Sequence, residues 1–194
     1  MTIFFIIIII AFIIAFITLI RTEKYEVTYE ESDIDNKEYL VRDLPDKKQS
    51  ANLLAKLKQN MLKLVDELYK KKDSEYNKYK IYIEQLQERI KNVIINESSE
   101  DNAYTSYSVN KGEQIVFCLR SKQDNQLHEL NLLIYVSIHE MSHIGNPEYG
   151  HGELFKKIFS FFIKVAIDMG IYKKIDFPNN PTEYCGMTIS ESII

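Results

Sequence analysis

Apolar residues run almost unbroken from Ile3 to Ile20, interrupted only by Thr18. Eighteen helical residues rise roughly 27 Å, close to the thickness of a hydrocarbon core, so the pattern predicts a single transmembrane anchor over residues 1–21. No positive charge precedes the run and no small-residue cleavage site follows it, which separates an anchor from a cleaved signal peptide. Arg21 and Lys24 flank the run on its carboxyl side, and the positive-inside rule then places the remainder of the chain in the cytoplasm.

Beyond the anchor the pattern changes three times. Residues 22–45 are crowded with acids (Glu23, Glu26, Glu30, Glu31, Asp33, Asp35, Glu38) and carry no helical apolar stripe, which reads as a solvated acidic tether. From Asp46, a candidate cap after Pro45, Leu53, Leu54, Leu57, Met61, Leu64, Val65 and Leu68 fall at the spacing of one helix face. A second such stripe, Tyr79, Tyr82, Leu86, Ile90 and Val93, predicts another helix from about Ser74. This helical pair (46–96) either packs on the later core or serves as a partner-binding arm. After a polar loop, Glu97 to Asn102, the stretch Tyr104 to Arg120 reads as a hairpin turning at Asn110-Lys111-Gly112, with an apolar strand from Ile115 to Leu119.

Composition narrows the function. A net charge of −4 and a pI near 5.7 leave no basic footprint for nucleic acid, and no nucleic-acid partner is expected. Cys118 and Cys185 lie far apart in unlike contexts, which is neither a disulfide framework nor a metal knuckle. The sparse cysteine count suits a reducing compartment. Residues 46–194 suffice for one domain.

Candidate chemistry sits in YVSIHEMSHIGNPEYGHGELF, Tyr135 to Phe155, which holds three of the four histidines. Leu130 to Ile144 is apolar around nearly its whole circumference and reads as a buried helix. Polar groups buried in it need partners. Residues four apart on a helix share a face, so His139 and His143 can reach one ion. Glu140, about 100° round the helix, stands beside that ion as a base for its water rather than as a ligand. Gly145-Asn146-Pro147 ends the helix, with glycine as a left-handed cap. His151, between Gly150 and Gly152 and just ahead of a further amphipathic helix, supplies a third ligand. The fourth position is left for water, as in catalytic rather than structural zinc. Glu148 and Glu153 are alternative third ligands. His128 reads as a surface or capping residue, Tyr149 and Tyr184 as oxyanion donors or mere packing, and Cys185-Gly186-Met187 as a plain loop or a turn beneath the metal.

HEMSHIGNPEYGHGELF, His139 to Phe155, resembles the active-site segment of the zincin metallopeptidases, and its G-H-G-x-x-F end resembles the WLM and SprT-like groups. Seven residues separate His143 from His151, so the shorter metzincin spacing does not fit. EYLVRDLPDKKQSANLLAKLK and PTEYCGM extend the resemblance to membrane-anchored WLM-like proteins of large DNA viruses. The resemblance implies a minimal zincin-like α+β domain over residues 46–194, with one Zn2+ held by His139, His143 and His151. It further implies Glu140 as catalytic base, an extended protein or peptide substrate laid along the sheet edge, and a viral or virion membrane around residues 3–20. Two rivals stand beside it: an anchored structural or interaction protein whose zinc only holds the fold, and a lumenal zinc enzyme of non-peptidase chemistry.

Overall fold

The computed structural model describes residues 26–100, 102 and 104–194, and the anchor lies outside them. Among the described residues no helix is long and apolar enough to cross a membrane.

From Glu26 on, the expected tether is folded. Val27–Glu31 (β1) and Glu38–Arg42 (β2) form an antiparallel hairpin in which Val27 faces Arg42 and Glu31 faces Glu38. The cause is a short period-two pattern in EYLVR: Tyr39 and Val41 are buried in the core while Glu38 is exposed. The described acids of that segment, from Glu26 to Glu38, occupy the outer positions and the turn. Glu30 pairs with Lys48 at 2.7 Å, and Ser32, fully buried, closes the turn through its backbone to Lys37 and through Oγ to Asn52.

The long helix α1, Lys47–Lys71, follows, burying Leu54, Leu57, Met61, Leu64, Val65 and Leu68 as its spacing predicts. Asp46 precedes it without a side-chain cap bond; its carboxylate binds Arg120 instead. A 3-10 turn, Asn77–Tyr79, leads into α2, Lys80–Ile90. That helix is shorter than expected because the β-branched run after it forms a strand, β3, Ile94–Glu97. β4 (Ser106–Val109) and β5 (Gln114–Phe117) form the expected hairpin, with φ of 48°, 53° and 119° at Asn110, Lys111 and Gly112. The sheet order is β3-β5-β4, β3 parallel to β5, which leaves β4 at an edge.

α3, Leu130–Gly145, is the buried centre, in contact with α1, α2, β4 and the helix α4, Glu153–Asp168. Its helical turns present apolar residues on all sides because it has neighbours on all sides. A small terminal hairpin, β6 (Thr182–Tyr184) and β7 (Met187–Ile189), completes an α+β domain. Cys118 and Cys185, expected to be unrelated, are joined in a disulfide across 67 residues, Cα to Cα 6.1 Å. One follows β5 and the other forms the turn of the terminal hairpin, so only the folded chain makes them neighbours.

Candidate metal centre

α3 sets two of the three imidazoles. His139 and His143 lie one turn apart on the face turned toward the loop 146–152 and α4, where their Nε2 atoms are 3.2 Å apart. The third arrives because α3 ends sharply. Gly145 is its last helical residue and Asn146 leaves in extended conformation, φ −83°. Gly145 is therefore not the left-handed cap expected; it is small because a Cβ there would stand 3.1 Å from the Tyr82 carbonyl oxygen and 3.6 Å from Leu86 and Phe162. In the loop that follows, the glycine with positive φ is Gly150, at 79°. The carbonyl of Ile144 accepts hydrogen bonds from Gln85 Nε2 and Arg89 Nη1, both at 3.0 Å, which fastens the helix end to α2. Gly145→Val is expected to lower stability by about 1–3 kcal/mol through overpacking, read as a shifted urea midpoint with unchanged slope.

His151 Nε2 stands 3.0 Å from His143 Nε2 and 3.1 Å from His139 Nε2. The three nitrogens thus form a nearly equilateral triangle. Ligands of a tetrahedral ion at about 2.0–2.1 Å would be spaced about 3.3 Å apart, so the set fits zinc with little adjustment. The donor chemistry agrees: a neutral imidazole has one N–H and one lone pair, and three converging Nε2 atoms gain more from a shared cation than from one another. Burial first, then the neighbouring imidazoles, push the His139 ring down to about 3 and the His143 ring down to about 4. Both are neutral at pH 7, the form that ligates metal. Phe155 stacks on His143 at 4.2 Å between ring centroids and meets His139 and His151 edge-on. It is the phenylalanine of the G-H-G-x-x-F end, and its role as the wall of the cluster is visible only in the fold.

Glu140 lies beside the triangle, on the same cleft. It is 6 % exposed, and burial alone raises its carboxyl to about 7; among the described residues no hydrogen-bond donor or cation is paired with it. The cleft has a volume of about 670 Å³ and is lined by His139, Glu140, His143 and His151, by Thr105 to Ser108 along β4, and by Tyr135, Val136, Tyr184, Met187 and Ile189.

The remaining sequence candidates separate cleanly. Glu148 lines the cleft but is not part of the three-histidine group. Glu153 turns away and pairs with Lys156 at 2.9 Å. Tyr149 is 89 % exposed at the cleft mouth with Lys111 Nζ 4.4 Å from its ring. Tyr184 is buried, its hydroxyl 2.5 Å from Ser106 Oγ. Cys185-Gly186 is not a plain loop: with φ of 51° and 82° it is the two-residue turn of β6–β7. His128 is half-buried rather than surface; its Nε2 accepts from the Cys185 N–H at 3.3 Å and its ring lies 5.0 Å from that of Tyr184.

Fold and site together define an α+β domain with a buried helix that presents a three-histidine cluster and an unpaired carboxylate to one cleft. No protein-family model matches the chain. It is 43% identical over 194 residues to uncharacterized protein R325 of Acanthamoeba polyphaga mimivirus, with 98% of each chain covered, and it belongs to that family. Uncharacterized protein 136R of Invertebrate iridescent virus 6 is 35% identical over 69 residues, 34% of this chain and 38% of that one. Among solved structures, the crystal structure of Wss1 from Saccharomyces cerevisiae aligns with a TM-score of 0.48 at 20% identity, covering 67% of this chain and 89% of that chain.

Proposed function

We propose that the protein is a membrane-anchored zinc metallopeptidase of the WLM-like zincin type, acting on protein or peptide substrates. The observation that carries this reading is Glu140: a carboxyl only 6 % exposed, opening onto the cleft beside three histidines and unpaired among the described residues, is costly to desolvate, and a site that only held the fold together would have no use for it. His139, His143 and His151 would hold the ion. Bound there, zinc would polarise a peptide carbonyl and lower the pKa of the attacking water.

The chain's own residues do the rest. Glu140 accepts the water proton and delivers it to the leaving amine, one group serving as base and then acid. β4 has no strand partner on its outer side among the described residues, so its outward-facing backbone N–H and C=O groups can take an extended substrate as an added strand. The apolar surface of Tyr135, Val136, Met187 and Ile189 then receives an apolar substrate side chain.

We further propose a single-pass anchor through residues 3–20. Five residues separate it from Glu26, the first described residue, and can reach at most about 18 Å, so substrates lie near the membrane. Two signals oppose each other on its orientation: Arg21 and Lys24 favour a cytoplasmic domain, whereas the Cys118–Cys185 bond favours an oxidising face. Protease protection of intact membranes decides between them.

The test of the peptidase reading is elemental analysis of the full-length protein together with cleavage of an unstructured protein substrate. One zinc per chain is expected, with hydrolysis abolished by a chelator and restored by added zinc. Folded protein that stays metal-free in zinc-replete medium would overturn the site. Bound zinc without hydrolysis would leave the structural role.

A further inference from the structure

The terminal hairpin is weakly built for the position it holds. β6 and β7 have three residues each and, among the described residues, pair only with one another, not with the three-stranded sheet. A lone two-stranded hairpin is marginal in water. Yet this one supplies Tyr184, Met187 and Ile189 to the cleft. Beside the packing of Tyr184 and Ile189 on the core, three polar or covalent attachments hold it to the domain: the Tyr184 hydroxyl at Ser106 Oγ, the Cys185 N–H at His128 Nε2, and the disulfide to Cys118. The two hydrogen bonds lie beside the covalent one, on residues 184 and 185. Ser106 also accepts the backbone N–H of Cys118 at 3.2 Å, so one hydroxyl joins the edge strand, the disulfide and the hairpin tyrosine. A second cavity of about 400 Å³ is lined by Cys118 together with Glu97, Arg120 and Lys122, none of which lines the active cleft. Cys118 and Cys185 are otherwise buried, 5 % and 4 % exposed, so that cavity is the route by which a reductant would reach the bond.

We propose that Cys118–Cys185 is a redox clamp on the substrate cleft: closed, it fastens the β6–β7 hairpin as a wall of the cleft; opened, it releases that wall and weakens substrate binding. The proposal regulates the site described above and rests on the peptidase reading for its kinetic consequence. Opening is a two-electron reduction by a dithiol. Thiolate attack on one sulfur breaks the S–S bond and forms a mixed disulfide, the reductant's second thiol resolves it, and its two protons end on Cys118 and Cys185. His139, His143 and His151 belong to α3 and the following loop, not to the hairpin, so the residues that would hold the metal are not on the released wall.

The experiment uses full-length zinc-loaded protein, as isolated, after reduction with a water-soluble phosphine, and as the Cys118→Ser/Cys185→Ser variant. The phosphine takes oxygen from water to become its oxide while the two sulfurs take the protons, so no thiol competes for zinc. Opening the bond is expected to raise KM about tenfold with kcat within about twofold, to leave one zinc per chain, and to speed amide exchange across residues 182–189. Unchanged KM and exchange on opening would overturn the clamp. So would complete alkylation of both cysteines in protein isolated without reductant. If no form cleaves any peptide, the peptidase reading fails, while the exchange difference still decides whether the bond holds the wall.

Discussion

Glutamine in place of Glu140 is expected to lower kcat by roughly 10² to 10⁴, the range for loss of a positioned base, while zinc content and fold remain. The amide has the shape of the carboxylate and cannot accept the water proton. Stability should not suffer: Glu140 is buried without a partner charge, so its neutral replacement removes a desolvation cost, and the urea midpoint at neutral pH should be no lower than in the parent protein. His143→Ala is the contrast, since it removes a ligand and should lose metal as well as activity. Equal low cleavage by the parent and Glu140→Gln, with zinc retained in both, would assign the ion to the structure and not to catalysis.

The histidine constellation was legible because its determinants are local. His139, Glu140 and His143 sit on one regular helix whose 3.6-residue period dictates their relative angles, and His151 is constrained by the short loop that follows. α1 and the β4–β5 hairpin were legible for the same reason, a strong period over enough residues. The β1–β2 hairpin was not: its inward set is Tyr39 and Val41 on one short strand, set among acids whose charge dominates any window average. β3 was hidden at the end of the α2 stripe, because Ile90 and Val93 serve a helix and the approach to a strand equally well. The disulfide and the Ser106–Tyr184 contact were illegible in principle. They join residues 67 and 78 apart, and nothing in the spacing marks them as partners. Gly145 shows the middle case: its residue type was significant, but the reason is close approach of α2, not backbone conformation.

The same distinction explains why Arg120, which no motif singled out, is expected to matter most for stability. It is 4 % exposed, and its Nε donates to Glu97 Oε1 at 2.9 Å while its two terminal nitrogens donate to the Asp46 carboxylate at 2.8 Å each. Nη2 also donates to Ser50 Oγ at 2.8 Å. The other Glu97 oxygen accepts the Arg42 backbone N–H at 2.8 Å. One guanidinium therefore joins the first hairpin, the start of α1, β3 and the chain after β5. Arg120→Met keeps much of the apolar volume but strands the Glu97 carboxylate, whose side chain is 1% exposed. The expected loss is about 3–5 kcal/mol, the cost of breaking a buried pair on one side. Adding Glu97→Gln should recover part of it, since the amide removes the stranded charge and still accepts from Arg42. The acid limb provides a second check. Hydrogen bonding to Arg120 holds the Asp46 carboxyl below its usual range, so this contribution is present above the unfolded value, about 4, and is lost as pH falls through the lower folded value. In Arg120→Met that loss has already occurred, and stability should fall less steeply on acidification below about pH 4 than in the parent protein. Equal acid slopes in the two proteins, measured by urea unfolding, would show that the arginine acts by packing alone.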